Sequence, residues 1–259
     1  MEEELYDAVL LGTEEEVRII LEENKYRINV NWKSPLGWAP LHCAVANGHD
    51  KITSMLLAHP SIDVNQNSQH GSTPFFLACE NGMTACAQLL LRDVRVEVNK
   101  RNQHGCTPLR FAARYGHLGV IRCWIASGRE MDLGWPGYDN SDAIGVAMSW
   151  GKTLVVTLLE KFEENPTQTR HEVRLELGCL EAMAAELFSM VIFLCDELVE
   201  IKEENTTTEA GGFFGIAKRL PIELQMVLCC RVVGFNGDNI PVEQREAAFK
   251  KLAKGLLSN

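Results

Sequence analysis

A repeat of 34 residues limits what this chain can become more than any other feature. Glycines stand at 37, 71 and 105, prolines at 40, 74 and 108, and further glycines at 48, 82 and 116; a Val-Asn pair begins at 30, 64 and 98. Four landmarks in one register mean copies of one unit, each of which must stack on its neighbours to bury its apolar face. The chemistry of the landmarks fits a helix–turn–helix. Pro40, Pro74 and Pro108 suit the first position of a helix, where the N–H has no partner to lose and φ is already set. Thr73 and Thr107 precede two of them as N-caps. Gly48, Gly82 and Gly116 close the first helix, where a left-handed residue is needed. Ala44, Ala78 and Ala112 are small enough to let helices approach. The sets Ile52, Leu56, Leu57, then Cys86, Leu90, Leu91, then Val120, Trp124, Ile125 each form one apolar stripe of a second helix.

Weaker copies flank this core. Ala8 and Gly12 precede it, with Thr13-x-x-Glu16 predicted to form a capping box; Ala147 and Gly151 follow it. The repeats fall at about 1–30, 31–64, 65–98, 99–133 and 134–162. The pieces Gly37-Trp38-Ala39-Pro40-Leu41-His42, Gly71-Ser72-Thr73-Pro74-Phe75-Phe76 and Gly105-Cys106-Thr107-Pro108-Leu109-Arg110 resemble ankyrin repeats. The resemblance implies an all-α solenoid of helix-turn-helix units with finger hairpins, whose concave face binds proteins. The family's Thr-Pro-Leu-His is complete in none of the three. Ala39 lacks the cap hydroxyl, at a cost of about 1 kcal/mol, which predicts faster amide exchange in 32–65 than in 66–99.

The register stops at Asn165-Pro166, and 163–259 reads as an all-helical module. Thr169-x-x-Glu172 predicts a capping box opening a helix that ends near Gly178. A long helix is expected over 179–202, a loop over 203–212, a short helix over 213–220, a helix over 222–233 opened by Pro221, and a turn over 235–240. A last helix is expected from Pro241 to about Leu257, with Phe249, Leu252 and Leu256 inward. Leu154, Val155, Leu158 and Leu159 call for a cover, so the module is expected to dock on the last repeat.

Charge narrows the partners. Lys and Arg number 25 against 35 Asp and Glu, a net charge of −10 spread over both halves. Such a chain is repelled by phosphate backbones and anionic membranes, so neither nucleic acid nor membrane is an expected partner. The most apolar stretch, Leu187 to Cys195, is far short of the roughly 20 residues a span needs. Met1-Glu2-Glu3-Glu4 has the wrong sign for a secretory leader. Nine cysteines without a Cys-x-x-Cys spacing point to reduced thiols in the cytoplasm or nucleus, with no metal or other cofactor.

No catalytic constellation is present, and an enzyme in 163–259 would need a polar pocket among inward residues that are nearly all apolar. The expectation is a monomeric, non-enzymatic scaffold or adaptor. Carried over by resemblance, the groove positions are Pro35, Leu36, Trp38, Ala46 and Asn47; Gln69, His70, Ser72, Glu80 and Asn81; Gln103, His104, Cys106, Arg114 and Tyr115; and Tyr138 and Trp150. Trp38, Tyr115, Tyr138 and Trp150 are the candidate anchors, because exposed Trp, Tyr and Arg dominate interface energetics; the alternative is that Trp38 and Trp150 lean back on their own repeats. His42, His49 and His117 are expected to hydrogen-bond within the fold, and His70 and His104 to be exposed. Cys43, Cys79, Cys86 and Cys123 are expected to act as small hydrophobes, while Cys229 and Cys230 cannot both face the core. Asn31, Asn65 and Asn99 match the asparagines that some ankyrin proteins present to a hydroxylase; their expected role is to bond the hairpin turn. Leu220-Pro221-Ile222-Glu223-Leu224 resembles the start of an F-box. That implies a second reading, a substrate receptor of a cullin-type ubiquitin ligase.

Overall fold

The computed structural model describes residues 1–35, 37–134, 142–195, 217, 222–233, 245 and 248. The chain divides into two compact units, Met1–Arg170 and His171–Asn259; the sequence placed this boundary at 162.

The first unit is a run of helix pairs: α1 Glu2–Leu11 with α2 Glu14–Glu23, α3 Pro40–Ala46 with α4 Asp50–Leu57, α5 Pro74–Asn81 with α6 Thr84–Arg92, α7 Pro108–Tyr115 with α8 Leu118–Ser127, and α9 Ala143–Ser149 with α10 Thr153–Glu164. First helices pack on first helices, α1 on α3 through α7 on α9, and second helices pack on second helices, α2 on α4 through α8 on α10. The result is two helical layers with an apolar seam between them. No strand occurs among the described residues. The fingers at 34–38, 68–72 and 102–106 are turns closed by main-chain bonds, as where Ser68 N–H donates to Ser72 O (2.9 Å) and Gly71 N–H to Ser68 O (3.0 Å).

The landmarks do what their chemistry requires. Ala44, Ala78 and Ala112 are fully buried where helices meet, and Ile52, Leu56, Cys86, Leu90, Val120 and Trp124 fill the seam. Phe75 meets Trp124 edge-on across two repeats, ring centroids 4.9 Å apart. Gly82 has φ 71°, and a Cβ there would collide with the ring of His117 in the next repeat. Gly12 stands in the same relation to His49. Glycine is therefore required twice over at these positions, by the backbone conformation and by the ring laid across it.

Successive connectors, those that follow each helix pair, are stitched by side chains that take main-chain groups of the connector 30 or more residues further on. Asn31 Nδ2 donates to Ser61 O (2.7 Å) and its Oδ1 accepts from Asp63 N (2.8 Å). Asn65 does the same with Arg95 O (2.7 Å) and Glu97 N (2.8 Å), and Asn99 with Glu130 O (3.2 Å) and Asp132 N (3.1 Å). These asparagines thus tie the connector after one helix pair to the connector after the next, rather than bonding the hairpin turn, which corrects the sequence expectation.

Two expected capping boxes form differently. The Thr13 hydroxyl points at the Glu16 carboxylate (2.8 Å) and at Ala8 O (3.1 Å), and accepts no backbone N–H. Thr169 lies inside α11, Pro166–Glu176; its hydroxyl bonds Lys161 O (2.8 Å) and Asn165 O (2.9 Å). Asn165 makes the cap, its Oδ1 accepting from Gln168 N (3.1 Å). The proline at the first helical position sets the start, and Thr169 comes too late in the chain to compete.

In the second unit, α12 Cys179–Cys195 packs on α13 Ile222–Val232. Ala184, Ala185, Phe188 and Val191 of α12 share a core with Ala217, Cys229, Cys230 and Ala248. Cys229 and Cys230 are both fully buried, against the expectation. Neighbouring positions lie about 100° apart on a helix, and α13 is covered over an arc wide enough to take both. Burial, helped by the adjacent Cys230, pushes the Cys229 thiol up to about 12, so Cys229 is poor in thiolate. Of the remaining expectations here, Ala217, Arg245 and Ala248 are helical. The helix beyond 195, the loop over 203–212, the turn over 235–240 and Phe249, Leu252 and Leu256 lie outside the described residues.

Candidate functional site

The first-helix side of the array carries the predicted groove positions. Leu36 and Tyr138 lie outside the described residues. Asn47, His70, Asn81, His104, Tyr115 and Trp150 are exposed, and Glu80 and Arg114 are partly buried. Ser72 is buried instead, with its carbonyl taken by His42.

The structure gathers one subset. An open groove of about 610 Å³ is lined by Ala46, Glu80, Asn81, Met83, Tyr115 and His117, drawn from three successive repeats. Three consecutive copies supply one wall because first helices stack in parallel at equivalent positions. Burial raises the Glu80 carboxyl above the usual carboxylate range. His117 Nε2 bonds Glu80 O (2.9 Å), so this histidine fixes the preceding helix end while its ring forms groove wall. Sequence reasoning assigned His117 only the first role and missed Met83.

Beside the groove lies an aromatic row. Phe76 and Phe111 have centroids 5.0 Å apart, and Phe111 and Tyr115 6.2 Å. The Arg114 guanidinium sits 5.6 Å from the Tyr115 ring centre and 4.5 Å from that of Trp150. Tyr115 is 43% and Trp150 53% exposed. Trp150 therefore faces solvent. Trp38 differs: it is partly buried and lies 6.4 Å from the His42 ring of its own repeat.

The remaining candidates are apart. The Asn47 amide donates to Cys43 O (3.0 Å) and closes α3. His70 and Gln103 meet at 3.3 Å on adjacent finger tips, and His104 stands on the second of those fingers. Cys43, Cys79, Cys86 and Cys123 are buried. Of the stretch 220–224, Ile222 is the exposed first residue of α13; Leu220 and Pro221 lie outside the described residues. Among the described residues no helix is long and apolar enough to cross a membrane. No three of His, Cys, Asp and Glu gather there as metal ligands would.

Paired helices in two layers, with exposed aromatics along one of them, define a helical repeat array. The family model for ankyrin repeats (3 copies) matches residues 5–68 and 62–133, so the N-terminal part of the chain is an ankyrin-repeat array. No curated protein matches it. Ankyrin repeats generally mediate protein–protein interactions, and the family is typically non-enzymatic.

Proposed function

We propose that the chain is a monomeric, non-enzymatic scaffold or adaptor that holds a protein partner on the concave first-helix face. The groove lined by three repeats, with Tyr115 at its edge, is the observation that supports this reading most. Tyr115 and Trp150 present large rings to solvent beside the Arg114 guanidinium, and Tyr, Trp and Arg are the residues that most often carry binding energy. The net charge of −10 favours basic partners in encounter.

The test is affinity capture with quantitative mass spectrometry, comparing wild type with a Tyr115→Ala, Trp150→Ala double variant. Both side chains are exposed, so the circular dichroism spectrum is expected to stay unchanged while captured partners fall at least tenfold. An undiminished partner set places binding on another surface.

A further inference from the structure

Arg114 is the one groove-side candidate that combines a full charge, aromatic clamping and unmet hydrogen-bonding capacity. Its guanidinium lies against two rings, Trp150 at 4.5 Å and Tyr115 at 5.6 Å. Among the described residues it forms no hydrogen bond and no ion pair. Its Nε is shielded from solvent without an acceptor. Elsewhere in this unit exposed arginines do find carboxylates: Arg18 pairs with Glu15 and Glu22, Arg95 with Asp93, and Arg101 with Asp132. Glu80, in the adjoining groove, makes no such pair with Arg114. A partly buried cation held in place without a counter-charge carries a desolvation cost that an incoming anion relieves. A guanidinium fixed in one plane suits two-point binding of a carboxylate and loses little freedom when it forms.

We propose that Arg114 anchors a single Asp or Glu side chain of the partner segment, with an adjacent apolar side chain of that segment resting on the Tyr115 and Trp150 rings. This rests on the groove reading above and specifies its chemistry. The overall charge of −10 opposes a strongly acidic segment, so the anchor is one acid in an otherwise neutral or basic stretch.

The test starts from random peptides displayed and selected against the full-length chain. The best sequence is then synthesised in three versions: with its carboxylate, with the matching amide, and with phosphoserine at that position. Binding is read by Trp fluorescence and calorimetry on wild type, Arg114→Gln and Arg114→Lys. The selected peptides are expected to share one Asp or Glu beside an apolar residue. The amide version is expected to bind wild type at least tenfold more weakly, with little difference between the two versions on Arg114→Gln and partial recovery on Arg114→Lys. The amide comparison on wild type is independent of how any variant folds. Peptides that lack a shared acid, or bind wild type equally as acid and amide, overturn the anchor and leave the groove reading intact. A phosphoserine version that binds tenfold tighter than the carboxylate replaces the carboxylate assignment with a phosphate one. If no peptide is selected, or the selected ones bind the Tyr115→Ala, Trp150→Ala variant equally well, the groove reading falls and this inference with it.

Discussion

The repeat that begins with α3 and the two that follow it start their first helices by different means. Thr73 and Thr107 cap α5 and α7 directly, each hydroxyl accepting a backbone N–H, from Phe76 at 3.2 Å and from Arg110 at 3.3 Å. Ala39 has no hydroxyl to offer. In its repeat the third helical residue, His42, reaches back instead: Nδ1 accepts from Ala39 N–H (3.1 Å), which leaves the proton on Nε2 to donate to Gln66 O (2.9 Å) and Ser72 O (3.2 Å) of the next finger. Phe76 and Arg110 occupy the equivalent positions in the Thr-capped repeats. A hydroxyl cap is local and indifferent to pH. The histidine binds its own helix end to the neighbouring repeat, and works only while neutral.

Removing His42 has the largest expected effect. His42→Ala leaves two or three buried main-chain groups unmet, at roughly 1–3 kcal/mol each, for a loss of about 4 kcal/mol in urea unfolding. A loss below that of a Thr-cap deletion would mean the imidazole contributes only bulk. Acid comes next. Burial lowers the His42 pKa from 6.5 to about 4, against smaller opposing contributions from its carbonyl partners. Above pH 7 the ring is neutral folded or unfolded, and nothing is lost. Below 6.5 the unfolded chain takes a proton that the folded ring refuses, so stability falls as pH drops from 6.5 to 4 and levels off below. The full loss is about 3 kcal/mol. It should appear as pH dependence in excess of that of His42→Gln, with amide exchange rising first in 32–65; parallel curves for the two proteins would remove the switch. The smallest effect belongs to the hydroxyls: Thr73→Ala or Thr107→Ala should cost about 1 kcal/mol at any pH between 4 and 8, measured by the same unfolding midpoints.

The same contrast explains what could be read from the sequence. The helix pairs were legible because glycine at positive φ and proline at a helix start are demands of the main chain, and the stripe containing Ile52 and Leu56 has one periodicity. The His42 arrangement was legible in part: the missing hydroxyl at Ala39 is plain in the sequence, but the ring that replaces it becomes visible only once the next finger is in place. Asp142, whose side chain caps α9 through Gly145 N (2.6 Å), was missed because the register is lost before it. His59 was missed too; it bonds Lys25 O (2.9 Å) in the preceding repeat, a partner 34 residues away. At the site, the exposure of Tyr115 and Trp150 followed from their register positions. The Arg114 clamp did not, because it depends on how the end of α9 in the following repeat packs against α7.

The asparagine clamps carry a mechanical consequence. Each carboxamide holds a donor and an acceptor of the following backbone, so a pull on the two ends of the array loads the clamps in series. The Asn31 and Asn65 clamps are short, at 2.7 and 2.8 Å, whereas the Asn99 clamp spans 3.2 and 3.1 Å. Each of the three connectors therefore resists that pull through two hydrogen bonds rather than one.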